Sequence, residues 1–450
     1  MAHATLLREQ ATQPAHRRAP LPRRERARDA ATVAVVGVVC CVLLGYALLS
    51  RRLEGTVVSA AMFFVSAGLL AGWTGIVDLG AAAHAGPGEE ASRAAVLLVA
   101  ELALVLLLFG DAAGIDLRTL RRNALPVRLL AIGLPLTIGL GTVLAAVVLS
   151  DLELWECAIV AAVLAPTDAA LGQAVVTSPA VPARIRQALN VESGLNDGGS
   201  VPFLMLFIAL AAAEEGLGGG WLAFTVEQIG LGALVGVAVG VAGGRALATA
   251  VEREWALPLF AQLALAALAI LAFIAADAVG GNGFIAAFVG GGAAGTAARR
   301  TTERTLEFTE EQGELLTLAV FFLFGVFAAE ALGAATWAMV AYAVLSLTVI
   351  RMVPVAVAVA RLGLPAATVA FLGWFGPRGL ASVILALVVI EEEPALAGIE
   401  QIFLVTTVTV LLSVFAHGIS AAPLTRLYAR RAHAPGAPQA DALASGPRGG

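Results

Sequence analysis

The 450-residue chain is 59% hydrophobic and 14% charged, with a mean hydropathy of +0.88 and a formal net charge of −5. Soluble domains carry about 25% charged residues, so this composition excludes a soluble core and favours an all-α polytopic membrane protein. Every basic residue is Arg, which excludes lysine chemistry, and the three cysteines are too few for a disulfide framework or a zinc site.

A window of about 20 residues finds about thirteen apolar spans. We therefore divide the chain into a basic tail (1–31), a transmembrane domain (32–425) and a short tail (426–450), with both tails expected to be disordered. The predicted spans are 32–50, 56–76, 93–113, 126–149, 155–176, 187–211, 220–243, 256–277, 281–297, 314–334, 336–360, 364–390 and 397–417.

The charges in the loops predict the orientation. Arginines and carboxylates alternate from one loop to the next, so the positive-inside rule places the arginine-bearing loops and the C-terminus in the cytoplasm. The N-terminus is then outside, which the arginine-rich tail contradicts. We follow the later loops, because they agree with one another.

Two spans are expected to be interrupted. Span five contains APTD at residues 165–168, where the proline removes a backbone donor and disrupts the preceding turn. Span twelve contains GPRG at residues 376–379, which should break a helix more severely. With span seven as a connector, these spans occupy matching positions in two six-span halves. Such a pair is the sequence pattern of a transporter site.

Span six carries the polar sequence ESGLND at residues 192–197. A charge at the centre of a membrane helix costs at least about 2.5–3.5 kcal/mol, so a carboxylate at this depth requires a partner or a function. Ser193, Asn196 and Asp197 share one helix face, with Glu192 at its edge. Because hard cations such as Na⁺ prefer oxygen ligands, we expect an ion site. Its expected ligands are Asp197, Ser193, Glu192, Asn196 and the carbonyl or hydroxyl of Thr167.

An intramembrane carboxylate can hold either a proton or a cation, since burial favours its neutral form and a bound cation compensates its charge. Exchange follows if the site can switch from one side of the membrane to the other when Asp197 carries a proton or a cation, but cannot switch when Asp197 is unoccupied and charged. The alternative for Asp197 is a place in a structural hydrogen-bond network. No nucleotide-binding signature is present, and we expect no cofactor.

Other charges in the spans have more than one interpretation. Asp168 is either a second carboxylate of the ion site or a structural partner of Arg378 or of freed backbone donors. Arg378 keeps its charge. It therefore either acts electrostatically on the nearby carboxylates or extends to the interface between membrane and water. Glu101 and Arg351 are expected to form a structural ion pair. His417 is expected to pack or cap, with pH sensing as the alternative.

Together these motifs resemble the sodium/proton exchanger family of monovalent cation:proton antiporters, in its electroneutral NhaP-like group. The strong matches are APTD at 165–168, ESGLNDG at 192–198 and GPRGLAS at 376–382. The weaker matches are LLF at 107–109, NGFIAAFV at 282–289 and HG at 417–418.

The resemblance implies inverted six-helix repeats with two crossed broken helices, a separate dimerisation domain, a homodimer and an elevator-like motion. It implies that Asp197 is the ion-binding aspartate, that Asn196 replaces the second aspartate of electrogenic relatives, and that exchange is electroneutral. The remaining implied roles are ion neighbours for Glu192, Ser193 and Thr167, a buried arginine for Arg378, and a structural ion pair for Glu101 and Arg351.

We therefore predict a secondary antiporter, not an enzyme, in the cell inner membrane, where it exchanges Na⁺ for H⁺ and serves pH homeostasis. The alternatives are K⁺/H⁺ exchange on the same fold and a non-transporting membrane sensor or scaffold. The expected partners are Na⁺, K⁺ or Li⁺ and H⁺ as substrates, the lipid bilayer and a second copy of the chain. Nucleic acid is not expected.

Overall fold

The computed structural model describes residues 23–53, 56–77, 87–115, 124–168, 171–214, 221–393 and 395–432, and this part of the chain contains helices and no strand. The helices are α1 (Arg23–Leu53), α2 (Ala60–Trp73), α3 (Pro87–Gly114), α4 (Ala124–Val148), α5 (Leu154–Val163), α6 (Gln173–Val176), α7 (Ala183–Glu214), α8 (Trp221–Glu252), α9 (Pro258–Asp277), α10 (Gly283–Ala297), α11 (Arg299–Ala331), α12 (Trp337–Val359), α13 (Ala366–Trp374), α14 (Leu380–Glu392) and α15 (Ile399–Ala432).

The lengths and apolar compositions of the helices confirm the prediction of an all-α polytopic membrane protein. Among the described residues, 8 helices are long and apolar enough to cross a membrane, and α2, α5 and α10 are shorter apolar helices. The count of thirteen spans is not established by these helices. The predicted tails also differ from the structure, because α1 already begins at Arg23 and α15 continues to Ala432.

Both predicted interruptions are confirmed. Helix α5 ends at Val163 and α6 begins at Gln173, whereas α13 ends at Trp374 and α14 begins at Leu380. Proline lies in each gap and cannot supply the amide donor that a continuing helix needs. The two gaps touch, since the Asp168 amide donates to the Pro377 carbonyl at 2.8 Å.

A third interruption, within α12, was not predicted. The helix breaks at Thr348, with φ −115° and ψ −89°, and resumes at Val349. The Thr348 hydroxyl donates to the Val344 carbonyl at 2.6 Å, and a side chain that bonds its own helix in this way competes with the backbone ladder. The break places Arg351 in the first turn of the second half, where the side chain is buried.

Close helix contacts through glycine build the part of the bundle that contains α2, α3 and α8–α11. Four glycines at every fourth position of α8 face the backbone of α10 and its preceding residue. They are Gly232, Gly236, Gly240 and Gly244, which lie against Asn282, Ala286, Gly290 and Ala294. Small residues at this spacing let helix backbones approach in lipid, where apolar side chains gain nothing by leaving the solvent.

Helix α10 in turn fixes α3. Gly291 lies against the Phe109 carbonyl and Gly295 against the Ala113 carbonyl, so a side chain at either glycine would separate the two helices. The last turns of α3 are thereby held in place. This contact positions Asp111, which lies between those two carbonyls in sequence.

We predict that Gly236→Ala destabilises the protein by about 1–3 kcal/mol, because an added Cβ would lie 2.5 Å from the Ala286 carbonyl oxygen and force the helices apart. Gly230→Ala on the same helix is the matched control, since its added Cβ meets no atom within 4 Å and gains helix propensity. Thermal unfolding in detergent distinguishes them. Equal melting temperatures for the two variants would show that the row of glycines on α8 is not a packing surface.

Candidate ion-binding site

Helix α7 carries the polar residues predicted for the site. It continues through Pro202, and Glu192, Ser193 and Asn196 are buried within it, whereas Asp197 is partly exposed. Gly194 and Gly198 leave room for other elements, because Asp111 of α3 lies against the first and the Phe288 ring against the second. The helix therefore meets its neighbours closely on the turn that bears Asp197.

The first interruption is tied to α7 through Thr167. The Thr167 amide donates to Asn196 Oδ1 at 3.2 Å, and Asn196 Nδ2 donates to Thr167 Oγ1 at 2.8 Å. The Ser193 hydroxyl donates to the Thr167 carbonyl. The structure thus brings the predicted ligands Thr167 and Ser193 together, and it engages both amide atoms of Asn196 in holding Thr167.

Asp168 accepts hydrogen bonds from freed backbone donors, which is one of the roles that the sequence left open. Its Oδ2 accepts from the Leu380 amide at 2.8 Å and its Oδ1 from the Leu171 amide at 3.2 Å. Leu380 begins α14, so the carboxylate also complements the positive end of that helix. Gly379 leaves the space, because the Asp168 carboxyl group occupies the position of an added Cβ.

Arg378 makes the reciprocal contact from the second interruption. Its side chain is 0% exposed, so an interfacial arginine is excluded. Nη1 donates to the Ala165 carbonyl at 2.7 Å and to the Pro166 carbonyl at 3.2 Å. These carbonyls follow the end of α5, where no continuing helix satisfies them. Nε and Nη2 have no hydrogen-bond partner among the described residues.

The predicted ion pair of Glu101 with Arg351 is wrong. Arg351 donates to both carboxylate oxygens of Glu192, at 2.5 and 2.9 Å, and both side chains are buried. The break in α12 and the bare backbone of Gly376 admit the guanidinium beside α7. Glu101 instead hydrogen-bonds Glu391, near the carboxylates of Asp277 and Glu392. Glu192, predicted as an ion ligand, has both oxygens engaged by Arg351.

Asp197 differs from these residues, because its buried Oδ1 has no hydrogen-bond partner among the described residues. The carboxylates whose charge acts on it are Asp111 and Asp168. The sequence analysis missed Asp111, although a carboxylate in the last turn of a long apolar helix is a usable signal. A narrow cavity lies nearby, and Thr167, Asp168 and Ser193 line it.

These features define a class of protein. Interrupted membrane helices that meet beside a buried carboxylate form the ion site of many secondary transporters. The comparison with known families agrees, since the sodium/hydrogen exchanger transmembrane model matches residues 36–427. The chain belongs to the sodium/hydrogen exchanger family, whose members are secondary transporters rather than enzymes.

Individual relatives share less than a third of their residues with this chain. The K(+)/H(+) antiporter NhaP of Alkalimonas amylolytica is 27% identical over 406 residues, which is 88% of this chain. This chain spans 66% of the length of that relative. Two structures of the sodium proton antiporter MjNhaP1 from Methanocaldococcus jannaschii show the same fold at 18% identity. The first, at pH 8, has a TM-score of 0.70 and covers 89% of this chain and 99% of its own. The second, from an electron-microscopy map, has a TM-score of 0.66, and the match covers 90% of this chain and 98% of that structure's chain.

The observed ion pair predicts that Glu192→Gln lowers the free energy of unfolding by about 3–5 kcal/mol, because Arg351 is left buried without its carboxylate. Glu101→Gln is the matched control and should be neutral or stabilising, since it removes one of several neighbouring carboxylates. Melting temperatures of the purified variants measure both. The double variant Glu192→Gln/Arg351→Gln should recover part of the loss; a double variant as unstable as the sum of the singles would contradict the pairing.

Proposed function

We propose that this protein exchanges a monovalent cation, Na⁺ above all, for H⁺, and that Asp197 holds the two ions alternately. The observation that carries the proposal is the buried Oδ1 of Asp197, which no described group satisfies although it lies in a membrane helix. An unpaired carboxylate oxygen at this depth is costly unless a proton or a cation neutralises it.

The ligands that we propose for the cation are Asp197, Ser193 and Thr167. Oxygen is the preferred ligand atom for a hard cation, and Ser193 and Thr167 line the cavity beside the interruption. We assign Glu192 to Arg351, Asn196 to Thr167 and Asp168 to the start of α14, because their contacts already use them. Asp111 is a further candidate, since its charge acts on Asp197.

Electrostatics supplies the coupling of the two ions. Deprotonated Asp197 carries its negative charge close to Asp111 and Asp168, so the bare state is costly in a medium of low dielectric constant. Either a proton or a cation removes that cost. We propose that access changes with Asp197 neutralised and not with it bare, which couples entry of one ion to exit of the other.

The arrangement favours exchange of one cation for one proton. Glu192 is balanced by Arg351, and Asn196 is neutral and committed to Thr167. Asp197 is then the one group of α7 whose charge changes during the cycle. The same charge enters with the cation as leaves with the proton, so the exchange is electroneutral.

K⁺/H⁺ exchange is the second candidate. It is favoured by the relative described as a K(+)/H(+) antiporter, whereas the solved homologue is described as a sodium proton antiporter. The chemistry of the ligands does not separate the two cations, since both accept oxygen donors. The choice between Na⁺ and K⁺ therefore rests on transport measurements.

We further propose that residues 32–425 form the antiporter domain of a homodimer in the plasma membrane, with the C-terminus in the cytoplasm. Arg430 and Arg431 in the last turn of α15 support that orientation. The cavity beside Thr167 is also lined by Leu189, which lies one turn nearer than Ser193 to the arginine-bearing start of α7. We propose that it is the cytoplasmic access route.

We predict that Asp197→Asn abolishes cation/proton exchange while the protein becomes more stable to heat, because a buried charge without a partner is removed. In inverted membrane vesicles, the wild-type protein should release a respiration-driven pH gradient on addition of Na⁺. The variant should leave the gradient intact with Na⁺, K⁺ and Li⁺. Dequenching of a pH-sensitive dye is the measurement.

Asp168→Asn is the comparison variant. It should lower both the melting temperature and the rate, since an amide accepts at only one of the two positions used by Leu380 and Leu171. Exchange by Asp197→Asn at the wild-type rate would place the site elsewhere. Silence of the wild-type protein with all three cations would favour a sensor or scaffold.

Electroneutral exchange predicts a rate that does not depend on membrane voltage. In proteoliposomes with a fixed pH gradient, collapsing the voltage with a permeant anion should change the initial rate less than about 1.5-fold, because no net charge crosses per cycle. Asn196→Asp is the informative variant, since it adds a second carboxylate to α7. A wild-type rate set by the voltage would contradict the single-carboxylate cycle.

A further inference from the structure

We propose that His417 and Ser413 of α15 are positioning residues that hold the second interruption, and with it Arg378, in register with the ion site. This inference rests on the proposed function, because it concerns the same site. In the part of the chain that the structure describes, neither residue hydrogen-bonds the proposed ligands of the cation. Their effect passes through the backbone of residues 374–378 and the Arg378 side chain.

A chain of hydrogen bonds spans the interruption. The Arg378 amide donates to Ser413 Oγ at 2.7 Å, and Ser413 Oγ lies 3.2 Å from His417 Nδ1. His417 Nε2 lies 2.9 Å from the Trp374 carbonyl oxygen. All of these groups are enclosed, since Ser413 and Arg378 are 0% exposed and His417 is 1% exposed.

The direction of these hydrogen bonds follows from their chemistry. The Trp374 carbonyl can only accept, so His417 Nε2 must carry a hydrogen. Nδ1 lies within hydrogen-bond distance of two groups, the Ser413 hydroxyl at 3.2 Å and the Ser413 carbonyl oxygen at 3.0 Å. In the neutral ring Nδ1 is an acceptor and takes the hydrogen of the hydroxyl, because the carbonyl cannot donate. That leaves the lone pairs of Ser413 Oγ for the Arg378 amide. With a neutral imidazole the hydrogen bonds thus run from the Arg378 amide to Ser413, from Ser413 to His417 and from His417 to the Trp374 carbonyl, and the ring donates nothing to the Ser413 carbonyl beside Nδ1.

The two ends of this chain lie on the two sides of the interruption. Trp374 is the last residue of α13, where helical carbonyls lose their partners, and Arg378 precedes the start of α14, where amides do. His417 thus bonds the last carbonyl of α13, which also accepts from the Gly376 amide at 2.9 Å, and Ser413 accepts from the Arg378 amide within the gap. The separation of α13 and α14 is fixed from outside, by α15.

Fixing the Arg378 backbone fixes where its guanidinium reaches. The side chain extends in the other direction and donates to the carbonyls of Ala165 and Pro166, immediately before Thr167. A shift of the Arg378 backbone would therefore move the segment that carries a proposed cation ligand. Ser413 is the link, because it is the α15 side chain that bonds the backbone after the gap.

Other contacts of α15 hold α13 without touching the gap. Ser420 Oγ accepts from Trp374 Nε1 at 2.9 Å, and Tyr428 stacks on Phe371 and hydrogen-bonds Thr368. Ser420 therefore offers a matched control. It is a serine on the same helix that bonds the same tryptophan, but its other hydrogen bond, to the His417 carbonyl at 3.4 Å, stays within α15.

The experiment compares Ser413→Ala, Ser413→Thr, His417→Ala and Ser420→Ala in proteoliposomes loaded with equal amounts of folded protein. Initial rates over a range of Na⁺ concentrations give KM and the maximum rate separately. We expect Ser413→Ala and His417→Ala to raise the KM for Na⁺ about tenfold, the effect of about one lost hydrogen bond, with the maximum rate changed less than threefold. Ser413→Thr should restore KM to within twofold, and Ser420→Ala should leave it unchanged.

A lower maximum rate at unchanged KM would show a purely structural role and overturn the inference, as would a Ser420→Ala protein with the same KM shift. A second measurement repeats Ser413→Ala with Arg378→Lys already in place. In that background Ser413→Ala should no longer shift KM, because no guanidinium remains to be positioned. If transport by Arg378→Lys is too slow to measure, the Na⁺-induced rise in melting temperature is compared instead, and Ser413→Ala should no longer change it. A wild-type protein that transports no cation would contradict the proposed function instead. Failure of the proposed function can therefore be distinguished from failure of the positioning role.

Discussion

The structure depends on a reciprocal contact between two broken helices. In a membrane a helix end that stops short of water leaves amides and carbonyls without partners, at a cost of several kcal/mol for each group. Here Arg378 of the second interruption satisfies carbonyls of the first, and Asp168 of the first satisfies an amide of the second. Each break supplies the charge that the other requires. The two breaks are thus stable together, and each alone would leave a buried charge and an open helix end.

The same pairing leaves one carboxylate, Asp197, for the mobile ion that we propose. Glu192 is engaged by Arg351, Asp168 by backbone amides and Arg378 by carbonyls. Among the acidic groups of this region, Asp197 is the one with a buried oxygen that the described residues do not satisfy. In the proposed exchange a permanent positive charge at Asp197 would compete with the transported cation. Among the described residues no arginine pairs with Asp197, which agrees with that proposal.

Local sequence signals predicted the helices, the two breaks and the polar turn of α7, because apolar length, proline and glycine act within a few residues. Pairings between helices were beyond that reach. The sequence indicated that Arg351 needs a carboxylate, but the choice of Glu192 over Glu101 depends on the break at Thr348 and on space beside Gly376. Asp111 was missed because its importance depends on Gly194, which has no side chain to keep α3 away. The glycines of α8 recur every four residues in the sequence, a repeat that predicts a close helix contact without naming its partner.

Two kinds of packing meet at α3. The part of the bundle around α8, α10 and α11 is joined by glycine contacts, whereas α7, α12 and the two interrupted segments are joined by hydrogen bonds and an ion pair. Helix α3 belongs to the first group through Gly291, yet it presents Asp111 to α7 of the second. Of the two carboxylates that act on Asp197, one thus lies on each side of this boundary. The elevator-like motion that the family resemblance implies, if it slides the hydrogen-bonded group, would change the distance from Asp197 to Asp111 and preserve its distance to Asp168. The motion that changes access would therefore also change the electrostatic cost of a bare Asp197, so that ion release and access are linked by the same displacement.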